Sequence, residues 1–240
     1  MIDIVAFGAH ADDAELFAAG TLALAARRGR STAIVDLTRG EMATRGTPET
    51  RRREAQAAAG ILALTHRETL DLGDGRLTND HASRVLVASV IRRLRPTLVL
   101  THGREDRHPD HRAAHDLVRD AAFFAYVGEF PADGERWRPA GLAFYLGNSF
   151  QPEARADWVV DISATYEIKM QALRAYASQF LADPAQPDRA TYIASPEFWD
   201  AIERRSRLWG HRIGVAHGEP FLLDRPASAL HPLVQLLPRP

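Results

Sequence analysis

Apolar positions along this chain fall into short β-branched runs separated by longer stretches of helical period. Residues 2–7 (I-D-I-V-A-F) read as a buried strand, and the Ala/Leu-rich stretch 16–28 reads as the helix that follows it. Residues 31–37 (S-T-A-I-V-D-L) predict a second strand, with Gly29 placed where a helix C-cap is expected. A polar, Gly-punctuated loop covers 38–46. Thr47 then caps a helix whose first residue is Pro48 and which runs to about residue 62. A short strand at 68–72, a helix at 81–94 stopped by Pro96, a strand at 97–102 and a helix at 110–126 complete the regular part. Beyond it, 142–146 and 158–162 predict strands, 165–180 and 196–210 predict helices, and 181–195 predicts a loop. The tail from 219 to 240 carries prolines at 220, 226, 232, 238 and 240 and is expected to pack on the surface or on a partner.

Strand and helix alternate through the first half, which predicts an α/β fold: a mainly parallel, doubly wound sheet flanked by helices. With no repeat or low-complexity linker, one domain over 1–240 is the simplest organisation. In such sheets ligands bind beyond the carboxyl ends of strands. Two polar clusters fall there. A-H-A-D-D-A-E (9–15) follows the first strand, and H-P-D-H (108–111) follows the 97–102 strand.

Composition narrows the chemistry. The chain has no cysteine, so disulfides and thiolate metal sites are excluded, and any metal must rest on His, Asp and Glu. A net charge of −1 gives no electrostatic case for nucleic acid or an anionic membrane surface. No apolar run reaches the roughly eighteen residues of a membrane-spanning helix, and no secretory signal pattern opens the chain, so a cytoplasmic location is expected. Nucleotide-binding glycine motifs and a G-x-S-x-G elbow are absent.

His10, Asp13 and His111 form a normal catalytic zinc set, two imidazoles and a carboxylate with positions left for water and substrate. Fe2+, Co2+ and Mn2+ suit the same donors. Asp12, beside Asp13, is placed to act as a general base on water. His108 and Asp110 suggest an imidazole–carboxylate pair, the carboxylate raising the imidazole pKa so that a protonated His108 serves an oxyanion or leaving amine. The sum is metal-assisted hydrolysis of an amide or ester. The plain alternatives are helix-terminus acids at Asp12, Asp13, Glu15 and Asp110, and structural histidines elsewhere, His115 included. His102 reads as core or as a residue behind the site.

A-H-A-D-D-A-E with H-P-D-H resembles the LmbE-like, or PIG-L, zinc-dependent N-acetylglucosamine deacetylases. T-R-G-E-M-A-T-R-G-T-P-E-T-R, L-D-L-G-D-G-R-L, G-N-S-F-Q-P, Y-A-S-Q-F and I-G-V-A-H-G-E-P-F resemble the bacillithiol-biosynthesis deacetylases within that superfamily. The resemblance implies a Rossmann-like fold, a zinc-type ion, and a homo-oligomer, commonly a hexamer. It implies hydrolysis of the acetamide of N-acetyl-α-D-glucosaminyl L-malate. It assigns His10, Asp13 and His111 to the metal, Asp12 to the base, and His108 with Asp110 to the imidazole–carboxylate pair. Arg51 and Arg107 match basic residues near the substrate, suited to an acidic aglycone, with a solvated helix charge as the plain reading of Arg51. Tyr192 matches a loop tyrosine that polarises the carbonyl, and Asn148 is expected to meet sugar hydroxyls. One departure stands out: Ala11 occupies the place of the family's usual proline, which stiffens that turn. Other substrates for the same chemistry are a mycothiol precursor, a chitobiose-type sugar or a thiol S-conjugate. A non-catalytic sugar- or metal-binding protein is the rival of another class, and Asp12 speaks against it.

Overall fold

Strands β1 (Ile4–Gly8), β2 (Thr32–Asp36), β3 (His66–Thr69), β4 (Leu98–His102) and β5 (Gly141–Tyr145) lie parallel in one sheet. The computed structural model describes residues 1–147, 155–182, 185 and 189–224. Two further strands, β6 (Trp158–Asp161) and β7 (Gly218–Leu223), complete a seven-stranded sheet in the order β3-β2-β1-β4-β5-β7-β6. β7 is antiparallel to both its neighbours.

The helices are α1 (Asp13–Arg27), α2 (Pro48–Ile61), α3 (His81–Leu94), α4 (Pro109–Phe124), α5 (Tyr166–Arg174), α6 (Ala177–Phe180) and α7 (Pro196–Arg212). Alternation along the strands sorts them into two layers. Ile4, Ala6, Ile34, Leu98 and Leu100 join the core shared with α1, α2 and α5. Val5, Phe7, Ala33, Val35 and Val99 join the core under α3 and α4. Because every side of β1, β2 and β4 is covered, each carries a continuous apolar run rather than an alternation, with polar residues only at strand ends, Thr32, Asp36, Thr101 and His102. β1 has β2 on one side and β4 on the other, so the strand order reverses between β1 and β4. Their carboxyl ends open a crevice there, and the two sequence clusters meet in it.

Three expectations need correction. The tail does not begin at 219: residues 218–223 form β7, inserted between β5 and β6. Pro220 masks this strand in the sequence. Its missing N–H does no harm, because the β5 ladder ends at Tyr145–Phe221 and Pro220 pairs only toward β6. Residues 225–240 lie outside the described residues. The 165–180 helix is two helices, broken at Tyr176 (φ −86, ψ 59), whose hydroxyl donates to Glu15 Oε1 at 2.7 Å. β3 begins at His66, earlier than its hydrophobicity suggests, because Arg67 turns inward to meet the acids of β2 and α1. A 3₁₀ turn at Tyr192–Ala194 also lies inside the expected loop.

Glu219, which the tail reading left at the surface, is buried and holds α1 at its middle. Its carboxylate accepts from the Gly20 and Thr21 N–H groups at 3.0 and 2.7 Å and from Lys169 Nζ at 2.7 Å. Lys169 Nζ in turn donates to Leu16 O. The pair thus meets the N–H of residue 20 and the carbonyl of residue 16, and each of its buried charges faces the other.

Candidate active site

The loop from β1 to α1 makes the first half of the site. Asp13 N donates to His10 O, and His10 N donates back to Asp13 Oδ2 at 2.8 Å. This reciprocal pair closes the turn around Ala11, so the ordering that proline would give is supplied by hydrogen bonds. Asp12, between them, has φ +122, a conformation L residues rarely adopt.

Asp13 is the hub. Its Oδ2 lies 3.4 Å from His10 Nδ1 and 3.3 Å from His102 Nε2, and its Oδ1 lies 3.2 Å from His111 Nε2. Burial alone would raise its pKa, but the imidazoles of His111, His102 and His10 outweigh burial and hold its carboxyl well below the usual range. The far nitrogens of the two outer rings also meet carboxylates. His10 Nε2 faces Asp74 Oδ1 at 3.1 Å and Asp110 Oδ2 at 3.2 Å. His111 Nδ1 faces Asp106 Oδ2 at 3.1 Å. Burial opposes charge on both imidazoles, yet these carboxylates raise His10 well above its ordinary value and His111 to about 9.

The fit to a divalent ion follows from that arrangement. His10 and His111 each show one ring nitrogen to Asp13 and give the other to a carboxylate, which is how metal-ligating imidazoles are oriented. Among the described residues three overlapping donor groups are close enough to share an ion: His10/His108/His111, Asp13/His102/His111 and His10/Asp74/Asp110. Each expected ligand, His10, Asp13 and His111, belongs to at least one of them.

Asp12 stays out of these contacts. It is buried, and its Oδ2 accepts from Arg51 Nη1 at 2.9 Å. Burial raises its pKa, Arg51 lowers it, and the balance is about 6. Arg51 is therefore not a solvated helix charge like Arg52 and Arg53. It is buried in α2 and committed to Asp12.

His108 and Asp110 do not form the expected side-chain pair. His108 caps α4: its Nδ1 accepts from Asp110 N at 3.2 Å. The Asp110 carboxylate points elsewhere, to His10, to Gly75 N at 2.7 Å and to Leu77 N. Burial and the neighbouring His111 and His10 lower the His108 pKa, the reverse of the expected rise. His108 still sits in the cluster, its ring 4.9 Å from His10 and 4.7 Å from His111. A ring accepting at Nδ1 carries its proton on Nε2, so it is a neutral hydrogen-bond donor.

Of the other expected residues, Arg107 is exposed on the loop leading to His108, and Tyr192 is 61% exposed with its ring edge-on to Phe198. Asn148 lies outside the described residues. His115 is structural, as expected: Nδ1 lies 2.9 Å from His102 O and the ring packs on Phe144. Two site residues, Asp74 and Asp106, carry no assignment in the sequence, and His102 fits both of its readings, core and a place behind the site. Asp74 stands between two left-handed glycines, Gly73 and Gly75, and its Oδ2 accepts from Met42 N. Asp106 lies two residues before His108, whose N–H it accepts at 2.9 Å. His102 ends β4, and its Nε2 accepts from Ala9 N at 3.0 Å; burial lowers its pKa to about 4. The G-D-G turn and the polar run before H-P-D-H were the available signals.

Fold and site together define a Rossmann-like α/β protein with a His/Asp centre for a divalent ion at the sheet's switch point. The family described as PIG-L, GlcNAc-PI de-N-acetylase, matches residues 5–122, which hold every residue of the centre. The chain is 31% identical over 185 residues to the 4-oxalmesaconate hydratase of Pseudomonas putida, covering 71% of each chain. It is 29% identical over 189 residues to the diacetylchitobiose deacetylase of Thermococcus kodakarensis, covering 72% of this chain and 68% of that one. The crystal structure of a conserved protein from Thermus thermophilus superposes with a TM-score of 0.85 at 37% identity, covering 95% of this chain and 96% of that one. The chain belongs to the PIG-L, or LmbE-like, family, which is described as a de-N-acetylase family. Among the described residues no helix is long and apolar enough to cross a membrane.

Proposed function

We propose that this enzyme hydrolyses the N-acetyl group of an N-acetylglucosaminyl conjugate with an acidic aglycone, N-acetyl-α-D-glucosaminyl L-malate, at an ion held by His10, Asp13 and His111. The observation that carries the reading is Asp12. A strained, buried carboxylate beside the ligand cluster, fixed by Arg51 and taking no part in the imidazole contacts, serves catalysis rather than binding.

Zinc, or Fe2+, Co2+ or Mn2+ on the same donors, would supply Lewis acidity toward the amide carbonyl and make water more acidic. Asp12 takes the proton as water attacks the carbonyl carbon. Arg51 keeps Asp12 ionised and aimed. Neutral His108 offers its Nε2–H to the oxyanion. Asp12 then holds the proton that the departing amine needs. The C–N bond breaks, and acetate and the glucosaminyl product leave.

Asp12 works ionised, so kcat/KM should fall as pH drops through about 6. Arg51 lowers that pKa, so Arg51→Gln should move the acid limb upward by about a unit or more. A pH–rate profile of the variant reads this, and an unmoved limb would remove Asp12 or Arg51 from these roles.

The substrate is tested by acetate release from the malate conjugate, free N-acetylglucosamine and diacetylchitobiose. Clear preference for the malate conjugate supports the assignment, and equal rates would reject the acidic aglycone. The similarity to a hydratase favours a second reading, addition of water to an unsaturated polycarboxylate. Loss of the substrate's ultraviolet absorbance with no acetate released from any amide would establish it instead.

A further inference from the structure

Enclosed arginines in this protein are, as a rule, compensated. Arg51 meets Asp12. Arg67 meets Glu15 and Asp36. Arg92 is surrounded by the carbonyls of Ala125, Val127, Ala132 and Gly134. Arg45 differs. It is only 8% exposed, its Nη1 is sealed from solvent without an acceptor, and among the described residues no ion pair or side-chain hydrogen bond reaches its guanidinium. A guanidinium cannot shed its proton, so leaving it enclosed and unpaired is costly unless an anion completes it.

Its location says which anion. Arg45 belongs to the loop between β2 and α2, at the same end of the sheet as the site, and that loop is fastened to the site's own residues. Thr38 Oγ1 donates to Ala9 O, next to His10. Glu41 Oε1 accepts from Asp74 N, and Met42 N donates to Asp74 Oδ2, while the other Asp74 oxygen faces His10. On its far side the loop is held by Gln179 Nε2, which donates to Arg45 O at 2.8 Å. The next residue, Gly46, has φ +77 and sits directly against Ser178, where a side chain would collide. The loop that carries the cation is thus tied to the centre's residues at 38, 41 and 42 and to the start of α6 at 45 and 46. Of the two residues the sequence offers for an acidic group, Arg51 gives its Nη1 to Asp12, and Arg107 is exposed on the loop before His108.

We propose that Arg45 is a specificity residue that receives a carboxylate of the substrate's aglycone. This rests on the acidic-aglycone reading.

The test uses the full chain as wild type, Arg45→Gln and Arg45→Lys, first by thermal melting with and without L-malate. Malate should raise the wild-type Tm, raise that of Arg45→Lys less, and leave that of Arg45→Gln unchanged. Without malate, Arg45→Gln should melt no lower than the wild type, since it removes an uncompensated cation. In kinetics, Arg45→Gln should lose at least about ten-fold more kcat/KM on the malate conjugate than on free N-acetylglucosamine, the effect of one lost charge-assisted contact. A variant that melts well below the wild type, keeps the malate shift or loses both substrates equally overturns the role. A wild type that treats acidic and neutral conjugates alike rejects the acidic aglycone. Malate protection abolished by Arg45→Gln would then still uphold the anion seat, and absence of protection would reject both.

Discussion

Asp12→Asn should lower kcat by about 10²–10⁴-fold while leaving the metal bound per chain unchanged. The carboxylate is held by Arg51, away from the contacts that join His10, Asp13 and His111. Asparagine keeps the shape and can stay beside Arg51, but it cannot accept a proton. Asn also tolerates positive φ better than most residues, so the strained turn at φ +122 should survive the change. Metal analysis and kcat on the same preparation separate the roles. Loss of metal together with turnover would make Asp12 a ligand.

The second large effect concerns stability. Arg67→Ala should destabilise the protein by about 3–5 kcal/mol, because it leaves the acids of a buried ionic cluster without their cation. Arg67 forks onto Asp36 with Nε and Nη2 at 3.0 and 2.9 Å, and its Nη1 meets Glu15. Burial raises the Asp36 pKa to about 6 even with Arg67 lowering it. Without the guanidinium that pKa rises further. A carboxyl whose folded pKa lies above its unfolded value favours the folded state at low pH, and that contribution is lost as pH rises through the folded pKa. The variant should therefore suffer most above about pH 6. Chemical denaturation at about pH 5 and about pH 8, on either side of that value, measures this. Arg67→Lys should rescue little, since an ammonium cannot span both acids with the same fork. Equal stability of variant and wild type at the higher pH would show that the cluster carries no net stabilisation.

The meeting of His10, Asp12, Asp13 and His111 was legible because each motif follows a strand, and strand ends at a topological switch point converge. The carboxylates behind the imidazoles were not. Asp74 and Asp106 act on the far nitrogens of His10 and His111, and no fixed spacing links them to the rings they orient. The His108–Asp110 reading failed on a local matter: position 110 lies in the first turn of α4, where its backbone N–H caps onto His108 and its side chain reaches His10. In the fold, β1, β2 and β4 announced themselves by continuous apolar runs. β7 was hidden by Pro220, and the start of β3 by the charged letters H-R-E-T, whose arginine is buried only because two acids await it.

The central claim is that the His10–Asp13–His111 cluster is a metal centre for amide hydrolysis. The most direct measurement is acetate release from N-acetyl-α-D-glucosaminyl L-malate by the purified chain, before chelation, after chelation and after zinc is restored, with metal per chain determined each time. Turnover that disappears with the ion and returns with about one zinc per chain is the predicted result. Undiminished turnover by the stripped protein, or zinc bound as firmly after Asp13→Ala as before, would contradict it.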